Sequence, residues 1–374
     1  MRIVHIHSDC TRTKGISRYV AALAERSAEF GQEVHYLHCR PNEIESGWVT
    51  FLRLRIISSP HFLEMMQFAR VSRTVAYRMK ADIIHTHGEV PFGDVVTAHS
   101  CHLRAMKIRS AKDPVRTVRN HGLVDGFRLR TERRLYKEGA CRHVIAVSNG
   151  VKRELQEEYD VPASKVTVIP NGVDTQWFDP RKNSATRAAT RKELGIPMED
   201  HVLLIVANEF RRKGLHIVID AMTMLGELKP WLLVVGRDAP TPFQIQAQNS
   251  GVSSRVRFLS RSDAIEKMYA AADLFVMPSY YEAFSLASLE AAASGLPVVI
   301  TKVNGAEELI VDGSNGMFVE RNADDVAMKI QTLLEAPDRL AEMGVLARQS
   351  AERFDWAIIL GRVLAVYNRL LGEK

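Results

Sequence analysis

Residues 274–300 read LFVMPSYYEAFSLASLEAAASGLPVVI, and the order of their apolar and polar runs sets the architecture of the chain. A short apolar strand, Leu274–Met277, is followed by a polar loop and then by a helical segment from about Leu286 to Ser294. A second apolar strand, Val298–Ile300, comes directly after the helix. Strand, helix and strand at this spacing predict a βαβ unit, in which both strands run parallel in one sheet.

The same alternation extends in both directions from this unit. Further strands are predicted at 202–207, 231–235 and 256–259 in the second half, and at 2–7, 34–39, 83–85, 95–98 and 143–147 in the first half. Helical segments separate them, as at 149–159 and from Gly214 onward. The sequence therefore predicts an α/β protein with two doubly wound halves that face each other across a cleft, at the carboxyl ends of their strands.

A stretch rich in Pro, Gly, Asn and Thr, from Pro170 to Pro197, separates the two halves and is typical of a hinge. We therefore place one domain at residues 1–170 and the other at residues 171–354. The last helical segment, about 355–374, is amphipathic, and we expect it to pack back on the first domain.

The composition is that of an ordinary globular protein: of 374 residues, 46% are hydrophobic and 25% are charged. The apolar runs are far shorter than the roughly 20 residues of a membrane-spanning helix. Residues 1–8 enter a strand without signal-peptide features. The four cysteines contain no C-x-x-C pair, which argues against a zinc cage or a disulfide framework. These features predict a soluble protein of a reducing compartment, the cytoplasm.

Positive charge is concentrated in one stretch, Cys101–Arg142. It holds twelve Lys or Arg and four Asp or Glu, a net charge of +8, whereas the whole chain carries +6. Such a stretch could contact an anionic membrane surface or the phosphates of a glycan, and it could equally be an exposed helical face. Nucleic acid is a poor candidate partner, because Phe127 and Tyr136 are the only aromatic rings available for base stacking.

The loop and helix at residues 278–294 carry the first candidate site. A helix that begins near Ser285 presents unpaired backbone N–H groups and the positive end of its dipole, which suits a diphosphate. Glu282 lies in the loop before the helix, and Glu290 lies about five residues into it, roughly 7.5 Å along the axis. Carboxylates so placed can accept hydrogen bonds from a sugar and from a ribose on either side of a phosphate. By itself, a pair of glutamates eight positions apart is weak evidence.

A second candidate element is Arg211-Arg212-Lys213-Gly214, which follows a predicted strand and opens a helix. Arginine offers phosphate oxygens a bidentate fork, and lysine offers them a point charge. From the residues alone, this element could equally be an exposed basic turn that binds no ligand.

These motifs resemble those of the retaining GT-B glycosyltransferases of family 4. The resemblance covers most of the chain and rests on the Glu282/Glu290 element, Arg212-Lys213-Gly214, Pro170-Asn-Gly-Val-Asp174, Ser148-Asn149 and Gly15-Ile-Ser-Arg18. Residues 210–214 and 279–283 are most similar to the lipopolysaccharide-core glucosyltransferases that use a UDP-hexose. The resemblance implies two Rossmann-like domains, of which the first binds the acceptor and the second binds the nucleotide-sugar donor.

The resemblance also implies a role for individual residues. His99 would approach the donor sugar, Glu282 would contact its hydroxyls, and Arg212 and Lys213 would stabilise the leaving diphosphate; these four are the implied catalytic residues. Glu290 would hold the nucleotide ribose. The other implied donor-binding residues are Gly15, Asn208, Arg211, Arg261, Ala283, Phe284, Ser285 and Leu286. The chain departs from many members of the family at Asn208, where they have arginine, at Lys14 and at Ser285, where they have glycine.

The implied reaction moves a hexose from a UDP-sugar to a hydroxyl of a cell-envelope glycan or glycolipid, with retention of configuration. No cofactor and no metal are expected, and no two aspartates lie two positions apart as a D-x-D metal motif would require. The acceptor would be reached from the inner face of the membrane, with the basic stretch 101–142 as a peripheral contact.

Several alternatives remain beside this reading. The same fold could serve a nucleotide-sugar epimerase, which needs no acceptor, or a non-catalytic nucleotide-sugar-binding protein. Glycosidase chemistry, which also uses paired carboxylates, is disfavoured because the resemblance ties Glu290 to the nucleotide. His99-Ser-Cys101-His102 contains zinc-ligand residue types but too few of them for a site. The strand histidines His5, His7, His85 and His87 are candidates for acceptor contacts and, equally, for buried polar positions.

Overall fold

The computed structural model describes residues 1–12, 15–112, 122–260 and 264–373, apart from the side chains of residues 109–112 and 182–184. The chain forms two compact units. The first comprises Met1–Gly172 and the chain from Trp356 onward, and the second comprises Val173–Asp355. Each unit contains one parallel sheet with helices between its strands, so the predicted α/β class with two doubly wound domains is confirmed.

The first unit is built on a seven-stranded parallel sheet. Its strands are β1 (Arg2–Ile6), β2 (Glu33–His38), β3 (Val49–Arg53), β4 (Ile83–Thr86), β5 (Val95–Ala98), β6 (His143–Ala146) and β7 (Val166–Val168). They lie in the order β3-β2-β1-β4-β5-β6-β7. Because the order reverses between β1 and β4, the carboxyl ends of these two strands mark the switch point where such sheets bind ligands.

In the described part of this unit, the helices between these strands are α1 (Gly15–Glu29), α2 (His61–Arg78), α3 (His102–Lys112), α4 (Leu123–Glu132) and α5 (Asn149–Tyr159). Local signals explain the bounds of α5. Ser148 is its N-cap, with Oγ accepting a hydrogen bond from the amide of Val151, and the helix ends at Asp160 in a left-handed conformation, φ 57°. A π-helical turn, Arg133–Lys137, continues from α4.

The second unit is built on a six-stranded parallel sheet. Its strands are β8 (Val202–Val206), β9 (Trp231–Val235), β10 (Val256–Leu259), β11 (Leu274–Met277), β12 (Val298–Ile300) and β13 (Gly316–Phe318), in the order β10-β9-β8-β11-β12-β13. The residues of β9 and β11 are buried along their whole length. Continuous apolar runs such as these are typical of strands covered on both faces.

The helices of the second unit are α6 (Asn183–Leu194), α7 (Leu215–Met222), α8 (Thr241–Asn249), α9 (Ile265–Ala271), α10 (Leu286–Ala293), α11 (Ala306–Leu309), α12 (Ala323–Leu334) and α13 (Pro337–Glu352). The predicted hinge 170–197 therefore contains a helix, α6. The guanidinium of Arg191 on this helix is fully buried and donates to the carbonyls of Ala271 and Asp200 and to the Asp273 carboxylate. These bonds fix α6 to the second unit, which the loop-like composition did not indicate.

The last helix, α14 (Trp356–Gly372), belongs to the first unit. Its buried face includes Trp356, Ile359, Val363 and Tyr367, which join the same core cluster as the inner face of α1. The Trp356 ring lies against Gly172, where a Cβ would come within 2.5 Å of it. Within the described residues, no helix has both the length and the apolar character needed to cross a membrane.

The elements that the sequence reasoning did not place are three edge strands and several helices, among them α2, α6, α8, α12 and α13. Strands β3, β7 and β13 are three to five residues long, and only part of each is buried. An edge strand has a partner on one side only, so its residues need not form the apolar run that identifies a central strand.

Candidate functional site

In the second unit, one loop joins β11 to α10 and carries the predicted carboxylates. Ser285 is the N-cap of α10, because its Oγ accepts a hydrogen bond from the amide of Ser288 at 3.2 Å. The helix thus begins where the sequence predicted. The amides of its first turn have no partner inside the helix, and they carry the positive end of its dipole.

A second loop, from β8 into α7, lies directly against the first. Gly214 closes it with φ +81°, and a Cβ at this position would lie 2.3 Å from the carbonyl oxygen of Pro278. The amide of Tyr280 donates to the carbonyl of Arg212 at 2.9 Å, which ties the two loops together. Only glycine allows the two loops to come this close. Gly214 therefore lets Arg212 and Lys213 lie beside the loop that carries Glu282.

Arg212, Lys213 and Glu282 form a buried charged cluster where the loops meet. Lys213 Nζ lies 2.6 Å from Glu282 Oε1 and 2.7 Å from Oε2, and Arg212 Nη1 lies 3.2 Å from Oε1. The hydroxyl of Ser279 donates to Oε1 at 2.5 Å. Oε1 therefore has three donors and Oε2 has one, which leaves Oε2 room to accept another hydrogen bond.

The cluster is electrostatically coupled. Burial pushes the pKa of Glu282 upward, but the positive charges of Lys213 and Arg212 outweigh burial and hold the pKa below its usual value. The Glu282 side chain is only 7% exposed and that of Lys213 only 12%. Two cations thus surround one carboxylate in a water-poor position. Arg212 also pairs with the exposed Glu209, with Nε 2.8 Å from Oε2, so the two cations and two carboxylates balance in charge.

Glu290 lies on α10 and has a different partner. The hydroxyl of Tyr269, on α9, donates to Glu290 Oε2 at 2.9 Å, and the carboxylate is 5% exposed. The two predicted carboxylates thus differ in their surroundings: two cations contact Glu282, and a tyrosine hydroxyl donates to Glu290.

The other predicted donor-binding residues differ in exposure and in location. Asn208 and Arg211 are exposed on the β8–α7 loop, while Ala283 and Leu286 are half-buried. Phe284 is buried, and its ring packs on Phe354 with the centroids 5.7 Å apart. At Phe284, therefore, only the backbone is available to a ligand. The predicted Arg261 lies outside the described residues, and Gly15, in the first unit, is exposed as the first residue of α1.

Sequence reasoning missed three residues that support the cluster. Ser279 donates to Glu282, as above. Asp238 Oδ2 accepts the amide of Phe210 at 2.7 Å and so anchors the β8–α7 loop. A Cβ on Gly236 would lie 1.7 Å from the carbonyl oxygen of Ala207. Gly236-Arg-Asp238 directly follows the predicted strand 231–235, and a glycine and an aspartate at a strand end could have been noticed as a signal.

The first unit gathers five histidines at the carboxyl ends of β1, β4 and β5. His99 directly follows β5 and is partly exposed, whereas His5, His7, His85 and His87 are buried. His87 Nδ1 lies 3.2 Å from His99 Nε2, and His87 Nε2 lies 3.4 Å from His5 Nδ1. The structure thus brings His99 together with the strand histidines, and these take buried polar positions.

One carboxylate borders this group at the switch point between β1 and β4. Glu89 accepts hydrogen bonds from the Ser8 amide at 2.6 Å and the Ser8 hydroxyl at 2.8 Å, and its Oε2 lies 3.0 Å from His7 Nδ1. Burial opposes ionisation, but His7 and Ser8 bring the pKa of Glu89 down to about 2. The Glu89 side chain is 31% exposed, so this carboxylate is accessible to a ligand.

The chain was also compared with known proteins. Residues 13–177 match the family profile described as Glycosyltransferase Family 4, and residues 186–350 match Glycosyl transferases group 1. The two matches together span most of the chain. The chain belongs to the GT-B glycosyltransferases. The predicted membership of glycosyltransferase family 4 with a GT-B fold is therefore confirmed, while the retaining mechanism and the particular similarity to lipopolysaccharide-core enzymes stay predictions.

Individual proteins similar to this glycosyltransferase match it along its whole length. A D-inositol 3-phosphate glycosyltransferase of Corynebacterium glutamicum is 25% identical, covering 96% of this chain and 93% of the relative. WaaG, a glycosyltransferase involved in lipopolysaccharide biosynthesis, superposes with a TM-score of 0.86 at 22% identity, covering 98% of this chain and 99% of WaaG. HepE of Anabaena, in complex with UDP and glucose, gives a TM-score of 0.77 at 20% identity, with 99% and 100% covered. The two structures share the GT-B fold that the sequence predicted.

Within the described part of the glycosyltransferase, one group of histidines has the spacing of a metal site. Ring nitrogens of His5, His85 and His87 lie within 4.8 Å of one another. The rings of His85 and His87, however, stack 4.5 Å apart at 28°, so their in-plane lone pairs lie in nearly parallel planes. His85 Nδ1 contacts the Tyr367 hydroxyl at 2.5 Å, and Nε2 contacts the Thr97 hydroxyl at 2.7 Å. The group fits a hydrogen-bonded polar core better than a metal centre.

The basic stretch 101–142 of the glycosyltransferase has less free charge than its composition suggests. Several cations pair with acids outside it: Arg104 with Glu157 and Glu158, Lys107 with Glu158, Lys137 with Asp160, and Arg142 with Asp94. Arg128 and Arg130 on α4 are exposed, with no acidic partner within the described residues. Residues 113–121 of the stretch lie outside the described residues.

Proposed function

We propose that this glycosyltransferase is a retaining, metal-independent hexosyltransferase that uses a UDP-sugar and glycosylates a hydroxyl of a cell-envelope glycan or glycolipid. The observation that supports it most is the Arg212–Lys213–Glu282 cluster, in which the β8–α7 loop places two cations against the carboxylate of the loop before α10. The largely buried Lys213, the partly exposed Arg212 and a helix N-terminus form a site that suits the diphosphate of a nucleotide sugar.

UDP is the nucleotide that we favour. HepE, which shares the fold, was solved with UDP and glucose. In this chain Glu290 would accept hydrogen bonds from the ribose, and Oε2 of Glu282 would accept one from a hydroxyl of the sugar. The family resemblance suggested both roles, and the free capacity of Oε2 is compatible with the second.

In the proposed reaction, the bond between the sugar C1 and the phosphate oxygen breaks as negative charge builds up on the diphosphate. Arg212 and Lys213 stabilise that charge from fixed positions, which is electrostatic preorganisation. The acceptor hydroxyl forms the new C1–O bond on the same face, and its proton passes to a phosphate oxygen of the leaving group. The β-phosphate thus takes the place of a protein base, and configuration is retained.

The acceptor is proposed to be a hydroxyl-bearing glycan or glycolipid. One named relative is a D-inositol 3-phosphate glycosyltransferase, and WaaG is involved in lipopolysaccharide biosynthesis, so both names point to polyhydroxylated acceptors. In the first unit, the Glu89 carboxylate offers an acceptor for such hydroxyls at the switch point of the sheet. An epimerase would need no acceptor, so product analysis with the donor alone separates the two activities.

Calorimetric titration of UDP, GDP and ADP without metal, together with a Glu290→Ala variant, tests the donor site. We expect UDP to bind selectively and the variant to weaken it. Incubation with UDP-glucose and a glycolipid acceptor, followed by NMR of the anomeric linkage, tests transfer and retention. Binding of none of the three nucleotides would overturn the proposal and favour a non-catalytic protein, and an inverted product would overturn the retaining mechanism.

A peripheral position on the inner membrane face is part of this proposal. Beside the exposed Arg128 and Arg130, a largely apolar groove of about 460 Å³ is lined by Leu103, Met106 and Leu129, among others. Anionic vesicles should bind the protein, and reversing Arg128 and Arg130 to Glu should weaken binding, because each basic residue near such a surface contributes about 1 kcal/mol. Reversal of the exposed Lys192 and Arg339 in the second unit is the matched control. Equal binding by all three proteins would contradict the membrane contact.

A further inference from the structure

Three imidazoles in the first unit are joined in series from the core to the sheet edge. His99, the partly exposed member, contacts His87 through Nε2, and His87 contacts His5 through its other ring nitrogen, at 3.2 and 3.4 Å. The inner end of the series is His5 Nε2, a buried nitrogen with no hydrogen-bond partner within the described residues. We call these three residues the imidazole series.

A proton count restricts the states of the imidazole series. Burial lowers the pKa of both His5 and His99 to about 3, and burial and the neighbouring histidines place the pKa of His87 well below its usual value. All three rings are therefore neutral near pH 7, with one N–H and one bare nitrogen each. Each of the two contacts needs one hydrogen, so only two arrangements are possible: all three rings protonated on Nε2, or all three on Nδ1.

The two arrangements differ at both ends of the series. With the protons on Nε2, His5 would bury an N–H donor without an acceptor. With the protons on Nδ1, His5 would instead bury an unused lone pair. Buried N–H groups without a partner are rarer in proteins than buried acceptors without a full set of donors. The structure therefore favours the Nδ1 arrangement, in which His99 accepts from His87 at Nε2 and carries its own proton on Nδ1.

We propose that His87 is a positioning residue that, together with His5, holds His99 as the Nδ1–H tautomer, so that His99 offers an N–H donor to an oxygen of the substrate. That this oxygen belongs to the transferred sugar rests on the proposed function, whereas the tautomer itself does not. The role resembles the second partner that fixes the tautomer of a catalytic or metal-bound histidine.

Packing around His99 supports a fixed ring. Tyr19 meets the His99 ring edge to face, with centroids 4.8 Å apart at 77°, and the His87 ring lies nearly parallel to it at 28°. Within the described residues, Nδ1 of His99 has no hydrogen-bond partner. A ring that is packed by Tyr19 and bonded to His87 at one nitrogen leaves its other nitrogen for a ligand.

The first test is NMR of the full-length protein labelled with ¹⁵N-histidine, since ¹⁵N shifts and couplings identify the protonated ring nitrogen. A His99→Gln variant assigns the His99 signals. We expect wild-type His99 to show the Nδ1–H pattern, unchanged between pH 6 and 8. An Nε2–H pattern in the wild-type protein would overturn the proposal, and this measurement needs no folded variant at position 87.

Three variants then test the role of His87. In His87→Leu, His99 loses its donor and should shift to the Nε2–H pattern. In His87→Gln, the carboxamide can still donate to Nε2, so the Nδ1–H pattern should persist. His85→Gln removes a buried ring that stacks on His87 but lies outside the series, and should leave the His99 pattern unchanged. A His99 pattern that is the same in His87→Leu as in the wild type would overturn the role of His87.

A kinetic arm separates this inference from the proposed function. With UDP-glucose and acceptor, His87→Leu should lower kcat about three- to tenfold, the effect of one hydrogen bond, and His87→Gln should restore most of it. If the wild-type protein transfers no sugar, the proposed function fails while the tautomer result stands. If transfer occurs but both variants are equally slow, or equally fast, the N–H of His99 does not reach a reacting substrate and that part of the inference fails.

Discussion

The two sheets share one topology, but their carboxyl edges carry opposite chemistry. In the second unit, the loops after β8 and β11 bury Lys213 and Arg212 around Glu282. In the first unit, His5 of β1, His87 after β4 and His99 after β5 form the imidazole series, in which every ring is neutral near pH 7. A fold fixes where a ligand can bind, and the few residues after each strand decide which ligand.

The difference has a physical consequence for substrates. Lys213 and Arg212 can attract an anion at the charged edge, because desolvated cations gain much from pairing with one. Neutral imidazoles offer single hydrogen bonds and no net charge, which suits hydroxyl oxygens. We therefore expect the diphosphate to bind at the charged edge and uncharged oxygens at the edge with the histidines. The following predictions test this division, from the largest expected effect to the smallest.

Replacement of Lys213 should have the largest effect. Lys213→Met should lower kcat for sugar transfer about 10²–10³-fold, because it removes a preorganised cation from the leaving diphosphate. The measurement is steady-state release of UDP with saturating UDP-glucose and acceptor. Lys192→Met, an exposed lysine of the same unit, is the control and should keep its rate.

The Lys213 variant also leaves Glu282 with fewer partners, which could lower the rate through misfolding. A Lys213→Met/Glu282→Gln double variant removes the buried negative charge, and we expect it to recover stability but not transfer. Recovery of transfer in the double variant would mean that Lys213 serves the fold alone, and the charged edge would lose its assigned role.

Sequence reasoning found this edge in part. The apolar runs identified β8 and β11, and Ser285 marked the start of α10, since such signals are local. The partners of the carboxylates were not local: Glu282 pairs with residues 69 and 70 positions away, and Glu290 with Tyr269, 21 positions away. Pairing across such distances depends on how the loops pack, which a pattern of residue types does not encode.

The second prediction concerns the glycine that brings the two loops together. Gly214→Ala should reduce the free energy of unfolding of the second unit by about 2–3 kcal/mol, since it combines a strained positive φ with a backbone clash at Pro278. Gly226→Ala has a positive φ, +52°, but nothing within 4 Å of the new Cβ, and should cost only about 1 kcal/mol. Urea unfolding measures both, and equal losses would show that the contact with Pro278 carries no energy.

The edge with the histidines was the harder one to predict. The alternation of His5 with His7 and of His85 with His87 was visible in the sequence, and either burial or substrate contact could explain it. Packing decides between them: the sheet buries these four rings, and β5 leaves only His99 partly exposed. The charge of the basic stretch was likewise overestimated, because Glu157, Glu158 and Asp160, which pair with it, lie outside the stretch.

The third prediction concerns acid stability of the first unit. Burial lowers the pKa of His5 to about 3 in the folded protein, against 6.5 for the unfolded chain, so the unfolded state binds more protons between these values. The stabilisation is therefore complete above pH 6.5 and is lost as the pH falls. Between pH 7 and pH 5, His5 alone should lower the free energy of unfolding by about 2 kcal/mol.

Urea unfolding followed by circular dichroism at pH 7, 6 and 5 measures this slope. His5→Leu should be less sensitive to acid by that amount, and His61→Gln, at an exposed histidine, is the control. Glu89 does not confuse the result, since its lowered pKa, about 2, removes stability only below pH 4.5. Other titrating groups are common to the wild type and the variant and cancel in the difference between their slopes. If the free energy of unfolding falls as steeply with pH in His5→Leu as in the wild type, the burial of neutral His5 does not make the protein sensitive to acid.

The smallest expected effect is at Ser285, and it separates the two sources of positive potential at the charged edge. Ser285→Ala removes the N-cap bond to the amide of Ser288 and should cost about 1 kcal/mol of stability, whereas Ser285→Gly should cost only a few tenths. Both variants leave Arg212 and Lys213 in place. If these cations supply most of the attraction for the diphosphate, UDP affinity measured by calorimetry should change less than twofold in either variant. A larger loss in Ser285→Ala than in Ser285→Gly would instead assign the binding to the ordered first turn of α10, because only a well-formed turn aligns its amides on the phosphates.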